Sequence, residues 1–260
     1  MKKIKYFLLA IICLTLTNCN SDKHEFPLDK RYWDTNDYDN VILELRFGYE
    51  EDEKKPTFDN PEQRIIVQKL TDEQNFKIVL KDKELGIKHR NKIATEFFNH
   101  WKDMHQIYQA TDRKDKYLYD IEMLAVWQYG LSLQLEYFKL GNDEIIESAD
   151  DPNSSRIKNT INSNIQTLIS NYIIYLDEVN NEKAFSEKGK TKLAEGINMH
   201  FSKLIELYPE ANFSGMKNKA KLMLKKSESN EVKSALTKLI ELIDSKKKEG
   251  KITTYNNVYN

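Results

Sequence analysis

The sequence predicts an all-α fold: an irregular bundle of about eight to nine helices behind an amino-terminal signal peptide. Helix breakers are scarce, with 8 Gly and 5 Pro in 260 residues. Apolar side chains recur at three- and four-residue steps over long stretches. Between those stretches stand Ser, Thr, Asp and Asn, whose side chains satisfy the free N–H groups of a first helical turn.

The first body element, 38–47, fits two templates. Tyr38, Val41, Ile42 and Leu45 follow helical spacing behind Asp34 or Thr35 as a cap, whereas Val41, Leu43, Leu45 and Phe47 alternate as in a strand; the helix fits better. Residues 48–59 read as a loop. Asn60-Pro61 reads as a helix start, with Ile65, Ile66 and Leu70 facing inward. Thr71-Asp72 opens a short helix to about Leu80, and the pattern breaks at 84–87.

A long amphipathic helix is expected over 88–110, on Ile93, Phe97, Trp101, Met104 and Tyr108. After a polar turn at 111–116 comes the most apolar segment, 117–140. It carries apolar residues on several sides and so belongs in the middle of the bundle, with Gly130 allowing a neighbour to approach and Gly141-Asn142 ending it. Asp150-Asp151-Pro152 opens the next helix, to about Val179, striped by Ile157, Ile161, Ile165, Leu168, Tyr172 and Leu176. Its Asn-rich stretch 159–164 predicts a bend. Beyond a polar turn at 180–183, Leu193, Ile197, Phe201, Leu204 and Tyr208 mark a helix that stops before Pro209. Ser214 and Asn230 cap the last two, on Met216, Ala220 and Met223 and on Val232, Leu236, Leu239 and Ile243. The whole reads as a single body over 31–250, with a polar break at 142–151 that can divide lobes 31–141 and 150–250, and a flexible tail at 251–260.

Ahead of the body, Lys2, Lys3 and Lys5 precede an apolar run over 6–14, too short to cross a bilayer, which is the order of a cleaved signal over 1–18. The run ends in Leu16-Thr17-Asn18-Cys19. This resembles the lipobox of bacterial lipoproteins: an aliphatic residue three before the cysteine, a hydroxylated one next, and Asn18 where Gly, Ala or Ser is more usual. The resemblance implies that Cys19 becomes the mature amino terminus, with a diacylglycerol group on sulfur and an acyl chain such as palmitate on nitrogen. At about 0.8 kcal/mol per buried methylene, several chains anchor where one does not. Asn20 stands where lipoproteins of this class kept at the inner membrane often carry Asp, so the resemblance points to an outer-membrane lipoprotein of the cell envelope, facing either the periplasm or the exterior. Residues 19–30 read as a polar tether.

Forty basic residues against 41 acidic ones leave no positive field for nucleic acid. Cys13 falls in the signal and Cys19 at the anchor, so the mature body has neither a disulfide framework nor a thiolate site. No cofactor or metal is expected: HExxH, paired ExxH, GxSxG, SxxK and glycine-rich phosphate loops are all missing from the sequence. Glu96 and His100, four apart on a helix, form the one pair worth mutating as catalytic groups. Two polar clusters remain, 88–91 (KHRN) and 112–116 (DRKDK), about 30 Å apart along the helix between them. The second mixes Arg113, Lys114 and Asp115 with Tyr117, the composition of a protein-contact patch, and is the expected partner contact; an ordinary charged helix turn is the competing reading. The basic end at 246–251 is ordinary for a last helical turn.

Address and composition together lead to a lipid-anchored, non-enzymatic binding protein with a protein partner, best read as an immunity-type lipoprotein that neutralises a toxin. A ligand-capture or transport-accessory lipoprotein, with a pocket lined by Trp33, Trp101 and Trp127, comes second. An envelope enzyme comes last.

Overall fold

The computed structural model describes residues 24–248; the expected signal at 1–18, the expected lipidation site Cys19 and the expected tail 251–260 lie outside the described residues. The described chain is all-α without a strand, and its one β-type pairing is a bridge between Thr111 and Tyr117. None of its helices is long and apolar enough to cross a membrane.

The described part of the expected tether, 24–30, lies on the body. Trp33 is buried; its indole N–H donates to the Pro27 carbonyl at 2.9 Å and its backbone N–H to Asn75 Oδ1 at 2.9 Å. Helix α1 (Thr35–Leu43) then starts on a reciprocal capping box. Asp34 Oδ1 accepts from the Asp37 N–H at 3.0 Å, and Asp37 Oδ2 accepts from the Asp34 N–H at 3.1 Å. Those two bonds resolve 38–47 as helix, and the last turn widens into a π-helical turn, Glu44–Gly48. Val41 and Leu45 face inward while Leu43 and Phe47 face solvent.

Next come α2 (Arg64–Leu70), α3 (Gln74–Leu80) and α4 (Ile87–Tyr108). Asn60 does not start α2 directly: its Oδ1 accepts from the Glu62 N–H at 3.1 Å and forms a turn, so the helix begins at Arg64. The loop 48–59 is stapled to the body. Tyr108 Oη donates to the Pro56 carbonyl at 3.2 Å, and Glu122 Oε1 accepts from the Phe58 N–H at 2.7 Å.

Helix α5 (Asp120–Glu147) is the centre of the molecule, with α3 and α4 on one side and α6 (Ser155–Tyr175) and α7 (Glu187–Gly196) on the other. It starts three residues later than the periodicity predicts and runs through Gly141-Asn142 instead of stopping there. The reason is tertiary: Asn142 is fully buried and its Oδ1 accepts from Asn164 Nδ2 of α6 at 2.9 Å, which holds both residues in the helix. Helix α6 runs unbroken through the Asn-rich stretch 159–164, where Asn159, Asn162 and Ser163 are exposed. The irregularity falls later, in a 3-10 helix, Leu176–Ala184, where a polar turn was expected.

Ser186 caps α7, which continues through a π turn (Ile197–Phe201) into α8 (Ser202–Leu207). Helices α9 (Ser214–Lys226) and α10 (Asn230–Lys248) close the bundle against α6 and α7. Neither Ser214 nor Asn230 is the cap: Phe213 precedes α9 without a side-chain cap, a turn at Asn212 leads into it, and Ser229 caps α10. Asn212 Oδ1 accepts from the Ser214 N–H at 3.0 Å, and Ser229 Oγ from the Val232 N–H at 3.3 Å. One apolar core runs from Trp33 to Ile243, with each fully buried large side chain contributing about 1.5–3 kcal/mol relative to exposure.

Candidate functional site

The 111–117 segment joins α4 to α5 as a tight, well-braced tip. The Thr111–Tyr117 bridge closes its base. Asp112 Oδ1 accepts from the N–H groups of Lys114 at 2.7 Å and Lys116 at 2.9 Å. These two backbone bonds hold the Asp112 carboxyl below the usual carboxylate range. Asp115 sits at φ 56°, the left-handed region that short polar side chains tolerate in turns. Tyr117 stacks on Phe185 at 5.3 Å and gives its N–H to the Ala184 carbonyl at 3.1 Å, while Lys116 Nζ caps the Lys183 carbonyl. Thus the tip rests on the 3-10 helix as well as on its own helices. Arg113, Lys114 and Asp115 all project into solvent, together with Leu118 beside them; Tyr117 is half-buried and forms the footing rather than the face.

Glu96 and His100 do not make a site. Glu96 faces outward with Lys92, 3.9 Å away, and His100 is buried with Nε2 2.7 Å from Asp39 Oδ1. Among the described residues no cluster of three His, Cys, Asp or Glu could hold a metal. A polar chain that sequence spacing does not reveal links α3, α5 and the π turn before α8. Ser132 Oγ donates to Glu73 Oε1 at 2.5 Å and lies 3.3 Å from His200 Nδ1. The direction of the Ser132–His200 contact follows the His200 tautomer. With Ser132 and His200 both buried, the chain is a polar network inside the core.

The 88–91 cluster divides. Lys88 and His89 are exposed, while Arg90 and Asn91 line a cleft of ≈ 450 Å³ between α4, α5 and α6. Its walls include Leu80, Ile87, Tyr137, Phe138 and Ile145. Arg90 pairs through Nη2 with Glu144 and donates through Nη1 to the Leu80 carbonyl at 3.2 Å, so the guanidinium is fixed in the cleft wall. The tryptophans expected around a pocket are elsewhere: Trp33 is core, and Trp101 packs on Trp127 at 5.2 Å.

His24, expected in a free tether, is clamped. Nδ1 meets Glu44 Oε1 at 2.6 Å, Nε2 meets Glu53 Oε1 at 2.7 Å, and the ring stacks on Tyr49 at 3.9 Å and 2°. Burial lowers its basicity, but the hydrogen bonds and charges of Glu53 and Glu44 outweigh that and raise its pKa. Nothing in the local sequence signals this, since the partners lie 20 and 29 residues away.

Compared with known proteins, the chain matches no family model, no curated protein and no solved structure.

Proposed function

We propose that this chain is an outer-membrane lipoprotein, anchored through acylated Cys19, whose body binds another protein at the envelope, and that it belongs to the immunity type that neutralises a toxin. The observation that carries the binding reading is the tip at 111–117. Its charged face of Arg113, Lys114 and Asp115 stands on a backbone tied down by Asp112, Tyr117 and Lys116. A rigid, exposed arginine loop loses little conformational freedom on docking and has the chemistry of an interface anchor. The lipobox-like Leu16-Thr17-Asn18-Cys19 supports the address.

The test is co-expression with the product of a neighbouring toxin gene. The intact chain should restore survival, Cys19→Ala should reduce protection where the toxin arrives from outside, and Arg113→Ala should weaken it with the protein still folded. Unchanged killing by every such toxin would remove the immunity reading.

The Arg90–Glu144 cleft favours a second reading, capture of a small amphipathic molecule with a polar head near the guanidinium and an apolar body along Ile87, Phe138 and Ile145. Thermal-shift screening of envelope metabolites against the wild type and Arg90→Ala separates the two: stabilisation of the wild type alone supports capture.

A further inference from the structure

Phe47, in the π turn, is 75% exposed, and Leu43, four residues earlier at the end of α1, is 56% exposed. Solvent-facing Asn36 and Asn40 continue the same row toward the start of the helix, so only its carboxyl-terminal end is apolar. Between Leu43 and Phe47 lies Glu44, which holds His24. The chain is therefore fixed to Glu44, the residue after Leu43, five residues beyond Cys19, and five extended residues reach at most about 18 Å.

We propose that Leu43 and Phe47 form a membrane-contact ridge that inserts into the lipid headgroup layer and sets the orientation of the anchored body. The inference rests on the reading of Cys19 as the acylated residue. If Cys19 is acylated, the bilayer surface lies within about 18 Å of His24, which Glu44 of the same helical turn holds. A tethered ridge needs little intrinsic affinity, because the anchor already supplies a high local lipid concentration. The neighbouring sequence selects the surface. Residues 50–53 (EEDE) carry four acidic groups against Lys54 and Lys55, so an anionic headgroup is repelled and a zwitterionic one fits. On this basis α1 lies next to the membrane, and α4 stands between α1 and the central α5.

The chemistry of the chain makes the test clean, since Cys13 leaves with the signal and Cys19 is consumed by acylation. Full-length Leu43→Cys, Phe47→Cys and Thr237→Cys chains are expressed with their signal, purified, labelled with a polarity-sensitive fluorophore and reconstituted into phosphatidylcholine vesicles. Thr237 is an exposed site on α10 that serves as control. The expected result is a blue shift and quenching by lipid-borne spin labels at 43 and 47, with neither at 237. The ridge is overturned, with the anchor intact, if mass spectrometry finds acylated Cys19 while all three labels report water. It is also overturned if the labels at 43 and 47 are shielded equally without lipid, which would indicate a second copy of the chain on this face. An unacylated amino terminus overturns the anchor and the ridge together. Both labelled positions face solvent, so loss of folding at one leaves the other to decide.

Discussion

The indole of Trp101 on α4 lies over the bare Cα of Gly130 on α5: a methyl group there would stand 2.1 Å from Trp101 Cε2. This contact sets how closely the two helices approach. Gly130→Ala should destabilise the fold by about 1–3 kcal/mol, because the indole must move against Trp127. Trp101→Ala alone should also cost about 3 kcal/mol through the cavity it leaves. The double variant should cost less than the sum, and urea denaturation of all four proteins measures that coupling.

His105 and His200 give the fold an acid limit. Burial pushes each imidazole down to about 4 from an ordinary value near 6.5, with Lys203 adding to the effect on His200. A depressed folded-state pKa contributes stability that is full above pH 6.5 and is lost as pH falls through about 4, on the order of 3 kcal/mol per group. Glu122 and Glu178, raised by burial, act with the opposite sign, contributing below the ordinary carboxylate range and losing that contribution as pH rises through their folded values. Chemical denaturation at pH 7.5, 5.5 and 4.5 should show a decline toward acid that is shallower in His105→Gln and His200→Gln.

The clamp on His24 titrates in the other direction. Its raised pKa means that the clamp's contribution to holding residues 24–30 is full below the ordinary histidine range and is lost as pH rises through the folded value, while the Trp33–Pro27 bond remains. Relative to an unfolded reference peptide at the same pH, trypsin should therefore cut after Lys30 or Arg31 faster at pH 9 than at pH 6. His24→Ala should be cut quickly at both, while α1 stays folded on its own capping box.

At the 111–117 tip, Asp112 and Arg113 should separate rigidity from contact. Asp112→Ala removes the acceptor of two backbone N–H groups, so hydrogen exchange at Lys114 and Lys116 should rise roughly tenfold with global stability little changed. On the binding function proposed above, Arg113→Ala should leave exchange untouched and weaken capture of a protein partner, measured by affinity pull-down from cells that express a candidate toxin.

Most of the helices could be read from the chain because their causes are local. Asp34 and Asp37 cap α1 across three residues, and Phe97, Trp101 and Met104 repeat on one face of α4. Even the close approach at Gly130 was visible as a lone glycine in an apolar helix. Local signals misled where a distant partner outweighed them. Gly141-Asn142 looks like a terminus, yet Asn164 holds Asn142 inside α5. Of the candidate site residues, Arg113, Lys114 and Asp115 were legible as a charged turn, but the supports from Lys183, Ala184 and Phe185 were not.

By itself the sequence determined the helical class, the position of most helices and the basic–apolar–cysteine order of the first nineteen residues, since each depends on side chains a few positions apart. The tertiary structure alone decided which polar groups meet. Ser132 finds Glu73 and His200 across 59 and 68 residues, and Arg90 finds Glu144 in the wall of a cleft. Such pairings arise because burial in one shared core forces each polar group to take whatever partner the packing brings near, and spacing along the chain carries no record of that choice.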